Sequence, residues 1–494
     1  HSDGWWAEDV LWSLVFVLLA LTALASVGCW LAPNARIAEG LNLGAAIIDC
    51  TLVAILLART PVRGVQALHG YLLLDPLGLW VLLCTALVYL LASLHAIGYM
   101  RGMHGESARL NRFYGLFSAF ALTLFWAPLQ NNPGLFWIAV EMTTITSAFL
   151  VAFQRAPETI EAAWKYVIIA SAGLSLALLG TVLFYWSGTF IAGPSYNMTW
   201  GRLATLAPAA NPVLILLAFL LVLTGYGTKV GLAPMHTWLP DAHSEAPAPV
   251  SALLSGALLN CAMLGVVRYL LVVRETRVYP VAETVLVAFG ALSLLVAALF
   301  ITRQTLIKRL AAYSSLEHMG ILAIGFGFGA PLGVMGALYQ MLNHSLAKSA
   351  VFFGAGNAMH AYHSKQIAKI RRVLDYFPMS GALWLAAAVA ITGAPPFGLF
   401  WGEITLLRGG MASVNSWAVV WTGLLLIVIF IGFLKHFRVM YFGRQPTQSP
   451  DTTLHATQII PLGLAVAAVL VLGLWWPHVI WVYLSAIARR FEPV

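Results

Sequence analysis

Charge is what this sequence has least of. Only 9% of its 494 residues are Asp, Glu, Lys or Arg, against 60% hydrophobic residues. With a mean hydropathy of +0.84, that scarcity excludes a soluble globular domain. Long polar segments are also missing, so no separate soluble domain is expected. Cysteine is sparse: Cys29, Cys50, Cys84 and Cys261 fall inside apolar stretches without paired spacing, and neither a disulfide framework nor a metal or iron–sulfur site is supported. No cofactor motif occurs, so no cofactor and no catalytic residue of its own are expected. The opening segment, HSDGWWAEDV, has no basic n-region, and no cleavable signal peptide is expected.

What the chain has instead is apolar windows of about 20 residues, the length a helix needs to cross a bilayer. Fourteen recur, near 10–33, 42–58, 76–97, 111–130, 134–154, 163–186, 212–232, 247–272, 281–301, 305–328, 330–356, 378–403, 417–434 and 458–484. A barrel of this size would show short alternating strands, so helices are the expected spanning element. The fold class predicted is all-α, a polytopic membrane protein of about 14 transmembrane helices.

Basic residues are heavier in the connections after odd-numbered windows, such as Arg101, Arg109 and Arg112, Arg303, Lys308 and Arg309, or Lys365, Lys369, Arg371 and Arg372. The other connections carry fewer, among them Arg59, Arg63 and Arg202. By the positive-inside rule both termini are expected outside, in a bacterial or archaeal cytoplasmic (inner) membrane. The net charge of +8 follows from the same bias, and with no aromatic interleaving it gives no nucleic-acid partner.

Most windows hold no ionisable residue near the middle, so the exceptions carry information. They are Glu141, Lys165, Lys229, His318, His344, Lys348 and Glu403. Each costs about 2.5–3.5 kcal/mol at a helix centre unless it faces a bundle interior or a hydrated path. Together they imply a connected polar interior. In general, burial disfavours a charged lysine and a nearby carboxylate restores it, so a movable Glu–Lys contact can take up and release a proton, with histidines as relays. Any single one can instead be a structural ion pair or a snorkelling side chain, and for Lys165, at a helix start, both readings stand.

Helix breaks are the second signal. Gly227 and Gly231 flank Lys229 with Pro234 following, and Glu403 follows GAPPFG with Pro395 and Pro396. Both helices are expected to be interrupted at membrane depth, which is tolerated around a polar cavity. They fall at the seventh and twelfth windows, and broken helices in matching places of two halves mark a transporter's ion path. His236, Asp241 and His243 sit just beyond the first break. Their types suit zinc, but a proline-rich turn without further ligands is a weak metal signal, and a polar entry to the path or a fold-defining turn is the preferred reading.

GTKVGLAPMHTWLPDAHSEAPAPVSALLSG (227–256) resembles the signature of the antiporter-like subunits of respiratory complex I, shared with cation/proton antiporters and membrane-bound hydrogenases. IKRLAAYSSLEHMG (307–320), LNHSLAKSAVFFGAGN (342–357) and AITGAPPFGLFWGE (390–403) resemble later motifs of that family. Residues 141–153, 161–183 and 253–263 most resemble the hydrogenase-4 component F branch, found in formate-hydrogenlyase-like complexes.

The resemblance implies two inverted five-helix repeats with broken helices 7 and 12. They would be residues 111–272 (helices 4–8) and 281–443 (helices 9–13), after 1–110 (helices 1–3) and before 444–494 (helix 14). It implies that Glu141 and Lys229 form a switchable pair, that Lys348 and Glu403 continue the path, and that His318 and His344 are relays. Relatives carry a lysine on the eighth helix where this chain has Asn260, which puts the link between the half-channels in doubt.

The function implied is proton translocation in a complex I-like or hydrogenase-like redox assembly, with other membrane subunits and a soluble catalytic arm as partners. The alternative is a cation/proton antiporter, or the membrane half of an inorganic-carbon uptake complex with one large soluble zinc protein. Na⁺ is the alternative ion.

Overall fold

Helix starts in this chain are written as a cap followed by proline. Asn132 accepts hydrogen bonds from the amides of Gly134 and Leu135 ahead of Pro133, and Asn211 from those of Val213 and Leu214 ahead of Pro212. Asp75 likewise takes the Gly78 amide ahead of Pro76. The side-chain oxygen satisfies amides that have no intrahelical partner, and proline occupies the one position where its missing N–H costs nothing.

The computed structural model describes residues 2–103 and 109–493, with side chains from residue 7 onward. The expected placement of the termini concerns His1 and Val494, which lie outside the described residues, as do residues 104–108 of the expected first segment.

The helices run α1 (Ser2–Leu31), α2 (Ala35–Arg59), α3 (Pro76–Arg101), α4 (Leu110–Trp126), α5 (Pro133–Val151), α6 (Pro157–Ala192) and the short α7 (Trp200–Leu206). Next come α8 (Pro212–Val230), the short α9 (Trp238–Glu245), and α10 (Ala248–Leu253) continuing through a π-helical turn, Leu254–Leu258, into α11 (Leu259–Val272). Then follow α12 (Tyr279–Ile301), α13 (Ile307–Phe328), α14 (Leu332–Ala361), α15 (Val373–Tyr376), α16 (Pro378–Ile391), α17 (Gly398–Gly410), α18 (Trp417–Tyr441), α19 (Ala456–Leu474) and α20 (His478–Ala488).

Among the described residues, 11 spans are long and apolar enough to cross a membrane. The windows at 305–328 and 330–356 coincide with α13 and α14, long helices too polar to count among them, and the window at 378–403 is the broken α16–α17 pair. The window at 458–484 is also interrupted, between Leu474 and His478. Among the described residues one hairpin is not helical: β1 (Val65–Ala67) and β2 (Leu72–Leu74) are antiparallel and pair Val65 with Leu74.

Layering follows polarity. The α10–α11 span is buried throughout, and α13 and α14 nearly so, whereas α1, α2, α6 and α18 turn wide apolar faces outward. The buried charges of α13 and α14 sit on helices enclosed by others, and those of α2 on its inward face, since lipid offers them no hydrogen-bond partner.

Candidate functional site

α8 stops inside the bundle because Gly231 adopts a left-handed conformation, φ +87°. The amide of Leu232 bonds the Gly227 carbonyl at 2.9 Å and the Gly231 amide bonds that of Thr228 at 3.1 Å, a Schellman closure. A side chain at Gly231 would also collide with Leu239. Trp238 seals the end by donating Nε1–H to the Thr228 carbonyl at 2.7 Å. Pro234 lies just beyond, in the link to α9.

Lys229 sits in this last turn, fully buried, where the negative end of the helix dipole favours a cation. Its Nζ donates to Thr144 Oγ1 at 2.5 Å and to the Tyr166 hydroxyl at 2.6 Å. Tyr166 stacks on Trp238, with ring centroids 4.7 Å apart, and is linked through its hydroxyl to Ser147 at 2.7 Å.

Glu141, on α5, faces the same region but forms no ion pair with Lys229. It accepts from Ser171 at 2.8 Å, and its Oε2 is buried without a partner. Lys165 lies apart, half-exposed, paired with Glu161 at 2.6 Å and Asp241 at 3.4 Å. Asp241 also holds Arg309. The Lys165 ammonium thus meets carboxylates of α6 and α9 and is not among the hydrogen-bond partners of Lys229.

His236, Asp241 and His243 turn to different surroundings. Asp241 is in the ion cluster, His236 leaves Nδ1 unpartnered in the α8–α9 link, and His243 bonds the Leu239 carbonyl through Nδ1 at 2.8 Å with Nε2 buried and unpartnered. His243 faces Phe352 of α14, inside the bundle.

Asn260 stands in the first turn of α11, just past the π-helical turn. Its Nδ2 donates to Ser345 Oγ at 2.8 Å and to the Gly256 carbonyl at 3.1 Å, and its Oδ1 is buried without a partner. Ser345 in turn donates to the Gly256 carbonyl at 2.7 Å. The extra residue of a π turn frees carbonyls from the regular ladder, and here a serine and an amide collect at one of them.

The second break lies between α16 and α17. Gly393 has φ +80°, and a side chain there would overlap the Glu403 carboxylate. Pro395 and Pro396 carry the chain to α17, on which Glu403 points back into the bundle. Gln340 of α14 donates to Glu403 Oε1 at 3.2 Å and lies 3.2 Å from His318 Nδ1. His318 Nε2 is 2.8 Å from the Ile391 carbonyl, at the end of α16, so the network assigns the ring hydrogen to Nε2 and leaves Nδ1 to accept. The His344 ring lies 5.0 Å from that of His318 with both nitrogens buried and unpartnered. Lys348, one turn along α14, donates to the Ala311 carbonyl at 3.3 Å.

Several buried polar residues escape the sequence reading. Gln340 is uncharged and so gives no such signal in the sequence. Glu317 is fully enclosed beside His318, with Ser314 at 3.4 Å and Oε1 unpartnered. Its signal was the charge in SSLEHMG, but neighbouring residues point apart on a helix, and only packing on every side of α13 puts both inside. Lys308, read as a loop cation, is buried and donates to the Ala246 carbonyl. Arg268 is likewise buried, gripping Asp75 with two bonds of 2.5 and 2.6 Å.

Residues 131–430 match the family described as NADH:quinone oxidoreductase/Mrp antiporter, transmembrane. The chain is 36% identical over 348 residues to a hydrogenase-4 component F homolog of Methylacidiphilum infernorum, covering 69% of this chain and 73% of that one. It is 30% identical to hydrogenase-4 component B of Escherichia coli, of whose length it spans 49%, with 67% of this chain covered.

Solved structures share the fold at low identity. A chain of the archaeal membrane-bound sulfane sulfur reductase superposes with a TM-score of 0.87 at 20% identity, covering 97% of this chain and 98% of that one. One of the Mrp complex of Dietzia sp. gives 0.83 at 18%, covering 98% of each. One of respiratory complex I of Thermus thermophilus gives 0.83 at 22%, covering 97% and 98%. A multi-span chain with α8 and the α16–α17 pair broken beside a buried polar line, matched over more than half its length, thus belongs to the family of NADH:quinone oxidoreductase and Mrp antiporter membrane subunits.

Proposed function

We propose that the chain carries protons along the buried line from Glu141 and Lys229, past Asn260, to Lys348, His344, His318 and Glu403, driven by a reaction in partner subunits. The observation that supports this most is the open hydrogen-bonding capacity along the line. Glu141, Asn260, Gln340 and both nitrogens of His344 have buried, unpartnered polar atoms. Such atoms are costly unless water joins them, and water beside lysine, histidine and carboxylate is what proton transfer requires.

The two ends are built to move. Lys229 rests on hydroxyls of Thr144 and Tyr166 while Glu141 rests on Ser171. A short swing of the ammonium from the hydroxyls to the carboxylate would make the pair that is open here, and the charge would then favour release of a proton farther along. Gln340 couples the far carboxyl to His318 in the same way. Between them, Asn260 and Ser345 hold a neutral bridge where a proton passes only through water, because an amide neither gains nor loses one near neutral pH.

The partners that fit are the other membrane subunits of a hydrogenase-4-like or complex I-like assembly with a soluble redox arm, in a bacterial or archaeal cytoplasmic membrane with the basic loops inside. Likeness to the Mrp complex keeps cation/proton antiport as the second reading.

The test is the assembled complex, purified with its partners and reconstituted in vesicles. Lys229→Ala should abolish proton uptake while the partners' redox turnover persists. Undiminished proton uptake would refute the reading. Cation-dependent proton efflux without any redox partner would favour antiport.

A further inference from the structure

The first four helices contain a polar file that the Lys229–Glu403 line does not use. On α2, Glu39, Asn42 and Asp49 recur at spacings that put them on one face, and all three are buried, while Ile37, Leu41, Ile47, Ile48 and Ile55 face outward. Glu39 opens the file at one end, held by Arg101 at the end of α3.

Next comes Asn42, whose Oδ1 accepts from the Tyr89 hydroxyl of α3 at 2.7 Å and from Ser118 of α4 at 2.8 Å, and whose Nδ2 has no partner. Two turns deeper is Asp49, fully buried near the middle of α2. Its Oδ2 takes the Thr22 hydroxyl of α1 at 2.7 Å, and its Oδ1 has no partner.

A carboxylate in that position would need a cation, and among the described residues no lysine, arginine or histidine lies within ion-pair distance of it. The groups around it are Thr22 on α1, Cys50 beside it on α2, and Tyr89 on α3; Arg101 is committed to Glu39. A metal cation would need several oxygen ligands, but Thr22 and the carboxyl supply few, and the Asn42 oxygen is already taken. A proton needs only the carboxyl.

We propose that α1–α4 hold a second proton site, the side chain of Asp49, reached from the Glu39–Arg101 end through Asn42, Tyr89 and Ser118. The site stands independently of the Lys229–Glu403 line. It makes Asp49 a carboxylic acid in the membrane interior that exchanges its proton with one side, through water between Asn42 and Asp49.

Infrared spectroscopy of the purified complex at neutral pH tests this. The difference between wild type and Asp49→Asn should show the loss of one carboxylic-acid carbonyl band. Loss of a carboxylate band instead would overturn the proposal, since it would mean a bare or metal-bound Asp49. If Asp49→Asn does not assemble, Thr22→Val serves: removing the donated hydroxyl should shift the same band, and the absence of a shift would overturn the assignment. In deuterated buffer the band should shift by exchange, and Asn42→Leu should slow that exchange; an unchanged rate would overturn the route. Lys229→Ala should leave the band in place.

Discussion

Gln340 reaches Glu403 across 3.2 Å, and the same amide nitrogen lies 3.2 Å from Nδ1 of His318. One neutral side chain therefore ties the carboxyl of the broken α17 to the histidine that holds the end of α16. Gln340→Leu keeps the volume and removes both contacts. Each net hydrogen bond is worth about 1 kcal/mol, so proton uptake per redox turnover should fall several-fold with assembly retained. Vesicle pumping assays against blue-native gels separate the two readouts.

Tyr166→Phe removes the hydroxyl that Lys229 uses while keeping the ring stacked on Trp238 at 4.7 Å. A hydrogen bond to a charged group contributes roughly 1.5–3 kcal/mol, so the rate of coupled proton uptake should drop about tenfold or more. Thermal stability should change little if the hydroxyl serves the lysine rather than the fold, which differential scanning fluorimetry can measure.

Gly393→Ala should be severe for two independent reasons. The left-handed backbone costs a residue with Cβ about 1–2 kcal/mol, and the new methyl falls on the Glu403 carboxyl. Both the unfolding temperature and proton uptake should fall. Gly423→Ala, where nothing stands within 4 Å, should leave both unchanged.

Asp75 caps α3 outside the membrane span and is clasped by Arg268 and, at 2.7 Å, by Arg490. Burial pushes its carboxyl upward, but the two guanidinium groups outweigh that and hold it well below the usual carboxylate range. A carboxyl depressed on folding lends stability above its unfolded value of about 3.9, and that stability is lost as pH falls from there toward the folded value. Unfolding temperature should therefore decline below about pH 4, with a shallower decline in Asp75→Asn. Breaking a buried pair of this kind leaves a buried charge uncompensated and costs about 3–5 kcal/mol, so Arg268→Leu should destabilise strongly at neutral pH.

Most of the proposed axis is legible residue by residue. Lys229, Lys348, Glu403, His318 and His344 stood out because charge inside apolar windows is rare, and both breaks stood out because glycine and proline cluster there. Gln340, Asn42 and Asp49 did not: an amide leaves no charge signal, and Asp49, though at the middle of the 42–58 window, is not among the exceptions singled out from the sequence, so its place in a polar file shows only in the packing. Two lysines needed the packing: Lys165, open to either reading from the sequence, lies half-exposed beside Glu161 and Asp241, and Lys308, expected in a connection, lies buried.

By itself, the sequence determined the solvent and the element: apolar windows of spanning length demand helices in lipid, and glycine before proline demands that two of them stop early. Only the tertiary structure decided which polar side chains meet. A helix presents every face to something, and whether that is lipid, a hydroxyl or another charge depends on neighbours from distant parts of the chain. Glu141 and Lys229, expected as a pair, rest on separate hydroxyls, while His318 and Glu403 are joined through a glutamine. The reason is that burial leaves each polar atom to seek the nearest donor or acceptor, and packing alone sets which one that is.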